Sequence, residues 1–197
     1  MVWCGLRYCY LPLSSRTPLF LLTYLLGLHL TRLKSNDMAA ITAVDLPTTL
    51  EDRLKLGTEP YPHPAEWSHY LDLLERVEYP IEYTDETIYA LSYAEPLHEK
   101  IIARLIQLLA GLDSGTFDTY SSNHHILHPD GPRAFAPDVS VVKGNPKIEE
   151  VKKGIYMTTN PWMVIEVLSD TTRAYDLGTK LPRYREIESI RYVLYVE

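Results

Sequence analysis

The segment "PWMVIEVLSDTTRAYDLGTK", residues 161–180, decides the reading of this chain. Between Trp162 and Leu168 every residue is apolar except Glu166. A run of that kind reads as a strand covered on both faces. Burying an unpaired carboxylate costs several kcal/mol, so Glu166 either ends the strand or meets a cation. The residues that follow, Tyr175–Ile187, read as a helix. On it Asp176, Lys180 and Tyr184 are spaced i, i+4, i+8 and share a face. Lys180 is therefore placed to turn back toward Glu166, with Tyr184 read as core.

A second acid belongs to an apolar strand. Asp138 follows Pro137 and opens "DVSVV", a strand from about residue 138 to 142 closed by Gly144. If this strand pairs with the one carrying Glu166, the two acids meet at one end of the sheet. Two carboxylates and a backbone carbonyl, here that of Val167, make a hard oxygen site suited to Mg²⁺ or Mn²⁺.

Outward from these strands, "LHEKIIARLIQLLAG" is the clearest helix, with a stripe of Ile101, Ile102, Leu105, Leu108, Leu109 and Leu112 and with His98 near its start. Before it, "IEYTDETIYALS" alternates and turns at Asp85-Glu86, a hairpin carrying Glu82. Short helices are expected at 50–56 and 64–76, with Pro60, Pro62 and Pro64 marking a loop between them. Short strands are expected at 117–120 and 124–127 and a last strand at 191–196, with a charged stretch at 147–153 leading to the Trp162–Leu168 strand. Hairpin, helix, strands, helix, strand amounts to an α/β (α+β) domain, a mixed central sheet flanked by helices.

Composition bounds the function. The 197 residues carry a net charge of −7. Residues 38–137 hold six bases against sixteen acids, and residues 138–197 hold nine of each. No basic stripe announces nucleic acid, although a local groove can be basic in an acidic protein. Cys4 and Cys9 are the only cysteines, which leaves the rest of the chain without a thiol nucleophile or disulfide frame and fits a reducing cytoplasm. His124, His125 and His128 raise a zinc site, but strand spacing puts His125 on the opposite face from the other two. No Walker loop, GxGxxG or GxSxG is present.

Residues 1–37 read differently from the rest. Residues 17–31 carry no charge, yet as a helix would span only about 22 Å, short of a bilayer core. Met38 opens an ordinary soluble N-terminus. The expectation is that residues 1–37 are a disordered extension or a start upstream of the true one, and that 38–197 form the domain with no stable membrane association. The alternatives are membrane association or export through 17–31, and an amphipathic helix packed on the domain.

"APDVSVVKG" followed by "PWMVIEVLSDTTRAYDLGTKLPRYREIESIRYVLYV", with the upstream "IEYTDETIYALSYAEPLHEKIIARLIQLL", resembles the Uma-type family of putative restriction endonucleases in the PD-(D/E)xK nuclease superfamily. The resemblance covers about residues 39–197. It implies a restriction-endonuclease-like fold, Mg²⁺- or Mn²⁺-dependent hydrolysis of phosphodiester bonds, DNA as partner, and compatibility with a homodimer. Carried over, Asp138 is the motif aspartate and Glu166 the acid of (D/E)xK. The motif lysine would fall at Leu168, so the resemblance implies a lysine from the next helix, here Lys180. Glu82 matches an acidic position of the hairpin, and Asp176 and His98 join the site at second rank. Two departures stand out. Pro182 lies inside the last helix, where it should kink it, and the chain stops at Glu197 where the family continues with further strand, so a truncated copy is expected. The competing reading is a nuclease fold without activity that binds nucleic acid or a protein. A metal-independent carboxylate-pair glycosidase is a third.

Overall fold

The computed structural model describes residues 45–92, 94–112 and 115–197. The expectations for residues 1–37 lie outside the described residues. In chain order the elements are α1 (Leu50–Leu54), β1 (Tyr61–Pro64), α2 (Trp67–Leu73), β2 (Ile81–Thr84), β3 (Thr87–Ala90), α3 (Pro96–Leu112), β4 (Phe117–Ser121), β5 (Ile126–Leu127), β6 (Ala134–Phe135), β7 (Val139–Lys143), β8 (Ile148–Lys152), β9 (Ile155–Thr158), β10 (Met163–Val167), α4 (Arg173–Tyr175), a π-helical turn (Asp176–Lys180), α5 (Leu181–Glu186) and β11 (Tyr192–Val196). This is the expected mixed α/β architecture. The strands, however, fall into two sheets: β1-β3-β2-β6-β5-β9-β8, and β11-β10-β7-β4.

The smaller sheet sets the site. β7 and β10 are antiparallel, with Ile165 opposite Val139. The next pair along that register is Glu166 with Asp138, so the acids meet where β7 begins. β10 and β11 are parallel, which requires a crossover, and the helical stretch 173–186 provides it. That crossover returns the chain over the end of β10. Val164, Ile165, Glu166 and Val167 are all buried. α3 covers the sheet with Ile102, Ile101, Leu105, Ile106 and Leu109. Leu108, expected in the stripe, is instead 63% exposed, and Ile106 takes its place.

The larger sheet departs from the expectations at both edges. Residues 61–64, expected as loop, form edge strand β1 against β3. Pro62 and Pro64 lack an N–H, which only an edge strand tolerates. The helix expected at 64–76 accordingly starts only at Trp67. At the other edge the charged 147–153 stretch, given no element from sequence, holds β8, paired with β9 around Gly154, whose φ of 84° suits the turn. Its side chains are largely exposed, so no buried face betrayed it. The hairpin turn falls at Asp85-Glu86 as expected, with φ of 51° and 56°. Arg183 donates to Asp85 at 2.6 Å and ties this turn to α5.

Arg53 is a third load on the larger sheet. It is wholly buried, and no carboxylate among the described residues pairs with it. Its guanidinium instead donates to the carbonyls of Ala90, Gly57 and Glu59 at 2.6–3.1 Å. These bonds tie the loop after α1 to the end of β3.

Candidate active site

The two expected strands bring Asp138 and Glu166 into a shared hydrogen-bond ring. Asp138 Oδ2 accepts the Val167 N–H at 2.6 Å, and the Asp138 N–H donates to Glu166 Oε2 at 3.3 Å. The Val167 carbonyl faces the same place. It accepts from His98 Nε2 at 3.0 Å, and Asp138 Oδ2 lies 3.2 Å from the same nitrogen. His98, in the first turn of α3, therefore stands with its proton between two oxygens, while its buried Nδ1 has no hydrogen-bond partner among the described residues.

The crossover supplies the cation. Lys180 Nζ lies 2.7 Å from Glu166 Oε1, 3.3 Å from Glu82 Oε1 and 3.4 Å from Asp176 Oδ1. All four side chains are essentially closed to solvent. Pro182 does not misaim the lysine. Without an N–H it cannot bond the Gly178 carbonyl, as an α-helix would require, and its ring would crowd that carbonyl. The turn widens instead, with the Leu181 N–H reaching Asp176 O, a π-helical bond. Pro182 then sits in the first turn of α5, where its missing donor is harmless.

Two hydroxyls complete the cage. Tyr184 donates to Glu166 Oε1 at 2.7 Å, and its ring packs edge-on against Phe135. Tyr175 donates to Glu82 Oε2 at 2.6 Å, and the Ala136 N–H reaches Glu82 Oε1 at 2.8 Å. Tyr184 is thus more than core, and Tyr175 was not singled out from sequence. Its only signal was the tyrosine at the start of the helix that carries Lys180. The three histidines at 124–128 do not converge. His124 meets Thr158 Oγ1, His125 meets the Ile81 carbonyl, and His128 Nδ1 accepts from the Asp130 N–H.

The family model described as Uma2, "Putative restriction endonuclease", matches residues 67–197, two thirds of the chain. The chain belongs to the Uma2 family. It is 35% identical over 116 residues to an uncharacterised Synechocystis protein, slr1290, across 58% of this chain and 59% of that protein. It is 25% identical over 132 residues to a second, sll1609, across 66% of this chain and 73% of that one. The chain thus spans about three fifths of the first relative's length. The crystal structure of a putative nuclease belonging to DUF820 from Anabaena variabilis superposes with a TM-score of 0.50 at 18% identity, over 62% of this chain and 69% of that one. At that identity the likeness speaks for the fold.

In this Uma2 chain the charge in the cage does not balance. Glu82, Glu166, Asp176 and the adjoining Asp138 share one ammonium. Burial drives the Glu166 carboxyl up to about 8; Lys180 opposes that shift, while Asp138, Asp176 and Glu82 add to it. Burial likewise raises Glu82 against the pull of Lys180 and Tyr175. Burial alone would lower the Lys180 ammonium, but Glu166, Glu82 and Asp176 hold it well above the usual lysine range. Carboxyls whose ionised forms are penalised by burial and by one another, beside converging oxygen donors, fit a hard divalent cation that would favour their ionisation, and Asp138, Glu166 and the Val167 carbonyl could hold it.

The cage opens into a cleft of about 790 Å³ between α3 and the residues 168–172. Glu78, Glu95, Glu99, Asp170 and Glu197 also line it, and Lys180 is its only Lys or Arg among the described residues. No described helix is long and apolar enough to cross a membrane.

Proposed function

We propose that this Uma2 chain is a Mg²⁺- or Mn²⁺-dependent endonuclease that hydrolyses DNA phosphodiester bonds, acting in the cytoplasm. The observation that carries the reading is the surplus of carboxylates at the end of β10: Glu82, Glu166 and Asp176 buried around Lys180, with the half-buried Asp138 hydrogen-bonded beside Glu166. Asp138, Glu166 and the Val167 carbonyl would hold the cation. When bound, such an ion neutralises phosphate oxygens and makes water more acidic.

The chain's own residues have distinct parts. Lys180 stays protonated at neutral pH, so it cannot serve as a general base. It donates hydrogen bonds and supplies positive charge near the attacked phosphate. Glu82 and Asp176 fix the ammonium in place, and Tyr184 holds Glu166 through Oε1, leaving Oε2 toward Asp138. His98 holds Asp138 and the Val167 carbonyl together through one N–H. Hydrolysis forms a bond from water oxygen to phosphorus and breaks the ester P–O bond, with the leaving oxygen taking a proton.

One observation favours the second reading, a nuclease fold that binds without cutting. Acids line the cleft mouth, and a polyanion is repelled by such a field unless cations intervene. Incubation of supercoiled plasmid with the purified chain separates the two. The proposal expects nicking or linearisation with Mg²⁺ or Mn²⁺, abolished by chelator and by Asp138→Asn with Glu166→Gln. A wild-type chain that never cuts, while binding DNA or a protein, belongs to the second reading.

A further inference from the structure

Among the described residues, one group outside the cleft brings metal-ligating atoms together: Asp45, His63 and His69, with one ligand atom from each lying within 4.8 Å of the others. They come from three separate elements. Asp45 precedes α1, His63 lies on edge strand β1 opposite Ile88, and His69 lies on α2. His69 Nε2 is 2.9 Å from Asp45 Oδ1, and the two imidazole rings are 6.3 Å apart at 47°. The positions are anchored from behind. Asp45 Oδ1 also accepts the N–H of Leu46, which is buried in the core with Tyr70 and Leu73 of α2.

We infer that Asp45, His63 and His69 form a binding site for a late first-row divalent cation of the Zn²⁺ class, separate from the cleft. Two imidazoles and one carboxylate are the donors Zn²⁺ takes, whereas Mg²⁺ prefers oxygen alone. In a tetrahedral site with bonds near 2.0–2.1 Å the ligand atoms stand about 3.3 Å apart, so the existing spacing closes with side-chain rotation alone. Asp45 is exposed and the imidazoles half-buried, which leaves the fourth position to water. A cation there joins the segment before α1 to the β1–α2 unit. Asp45 and His63 lie upstream of residue 67, where the family match begins, and His69 lies just inside it.

The alternative is a plain His69–Asp45 ion pair with His63 as a bystander. Calorimetric titration of the chelator-stripped full chain with Zn²⁺ distinguishes them, backed by the visible spectrum of the Co²⁺ form. The inference expects a Zn²⁺ event that His63→Gln and, independently, the exposed Asp45→Asn each weaken by tenfold or more, since even residues behind a ligand are worth about 10–100-fold. Asp138→Asn with Glu166→Gln should leave that event intact. No Zn²⁺ uptake, or uptake that survives both His63→Gln and Asp45→Asn, overturns it. Because Asp45→Asn changes an exposed side chain, loss of folding cannot mimic the result.

Discussion

Replacing Lys180 by Met removes the one cation of the cage while keeping the length of its stem. In the structure the ammonium meets three carboxylates within 3.4 Å, and its side chain is 4% exposed. Deleting one member of such a buried network costs about 3–5 kcal/mol, because the remaining charges have neither water nor a counter-ion. Against a total stability of roughly 5–15 kcal/mol this is a large share. Lys180 is therefore a structural counter-ion as well as a candidate catalytic group, which a helix-surface reading would not suggest. The assay is urea unfolding at pH 7 with chelator present, comparing midpoints at constant slope. Adding Glu166→Gln to Lys180→Met should recover about 1–3 kcal/mol, the coupling typical of groups in direct contact. A Lys180→Met chain that loses under about 1 kcal/mol, or a double variant whose losses simply add, would refute the buried-cage argument.

Tyr184→Phe removes a 2.7 Å donor from Glu166 and should cost about 0.5–1.5 kcal/mol in the same unfolding assay, the range for a hydrogen bond to a largely neutral carboxyl. Arg53→Leu removes the donors to one buried carbonyl, Ala90, and to the part-buried carbonyls of Gly57 and Glu59, and should cost about 1–3 kcal/mol, read as a fall in the urea midpoint. Burial lowers His125 from 6.5 to about 4. The unfolded chain then binds the extra proton between those values, so stability is present above pH 6.5 and is lost as pH falls toward 4. The loss has an upper limit of about 3 kcal/mol, and His125→Gln, which can still donate to Ile81, should flatten that limb of the stability profile.

The site was legible where a charged residue broke an apolar pattern. Glu166 inside β10 and Asp138 before β7 announced themselves because neither could be afforded without a partner. The i, i+4 spacing of Asp176 and Lys180 pointed the lysine toward Glu166. Other parts left weaker marks. The hydroxyls of Tyr175 and Tyr184 act through long-range contacts, and a buried tyrosine in sequence looks the same whether its oxygen is bonded or not. Pro182 signalled a helix break, but local spacing could not show that a π-helical turn would absorb it. β1 and β8 were missed because edge strands need no buried face: one is rich in proline, the other in charge. The division into two sheets depends on pairings between distant strands, which no local pattern encodes.

The central claim is that Asp138, Glu166 and the Val167 carbonyl hold a divalent cation next to Lys180. Crystals grown with Mn²⁺, measured for anomalous scattering, test this directly. The account predicts a peak within about 2.0–2.6 Å of those three oxygens, with the His98 N–H displaced from between them, and no such peak in Asp138→Asn. A Mn²⁺-saturated crystal with no anomalous density at the end of β10, and Lys180 still the sole cation there, would contradict it.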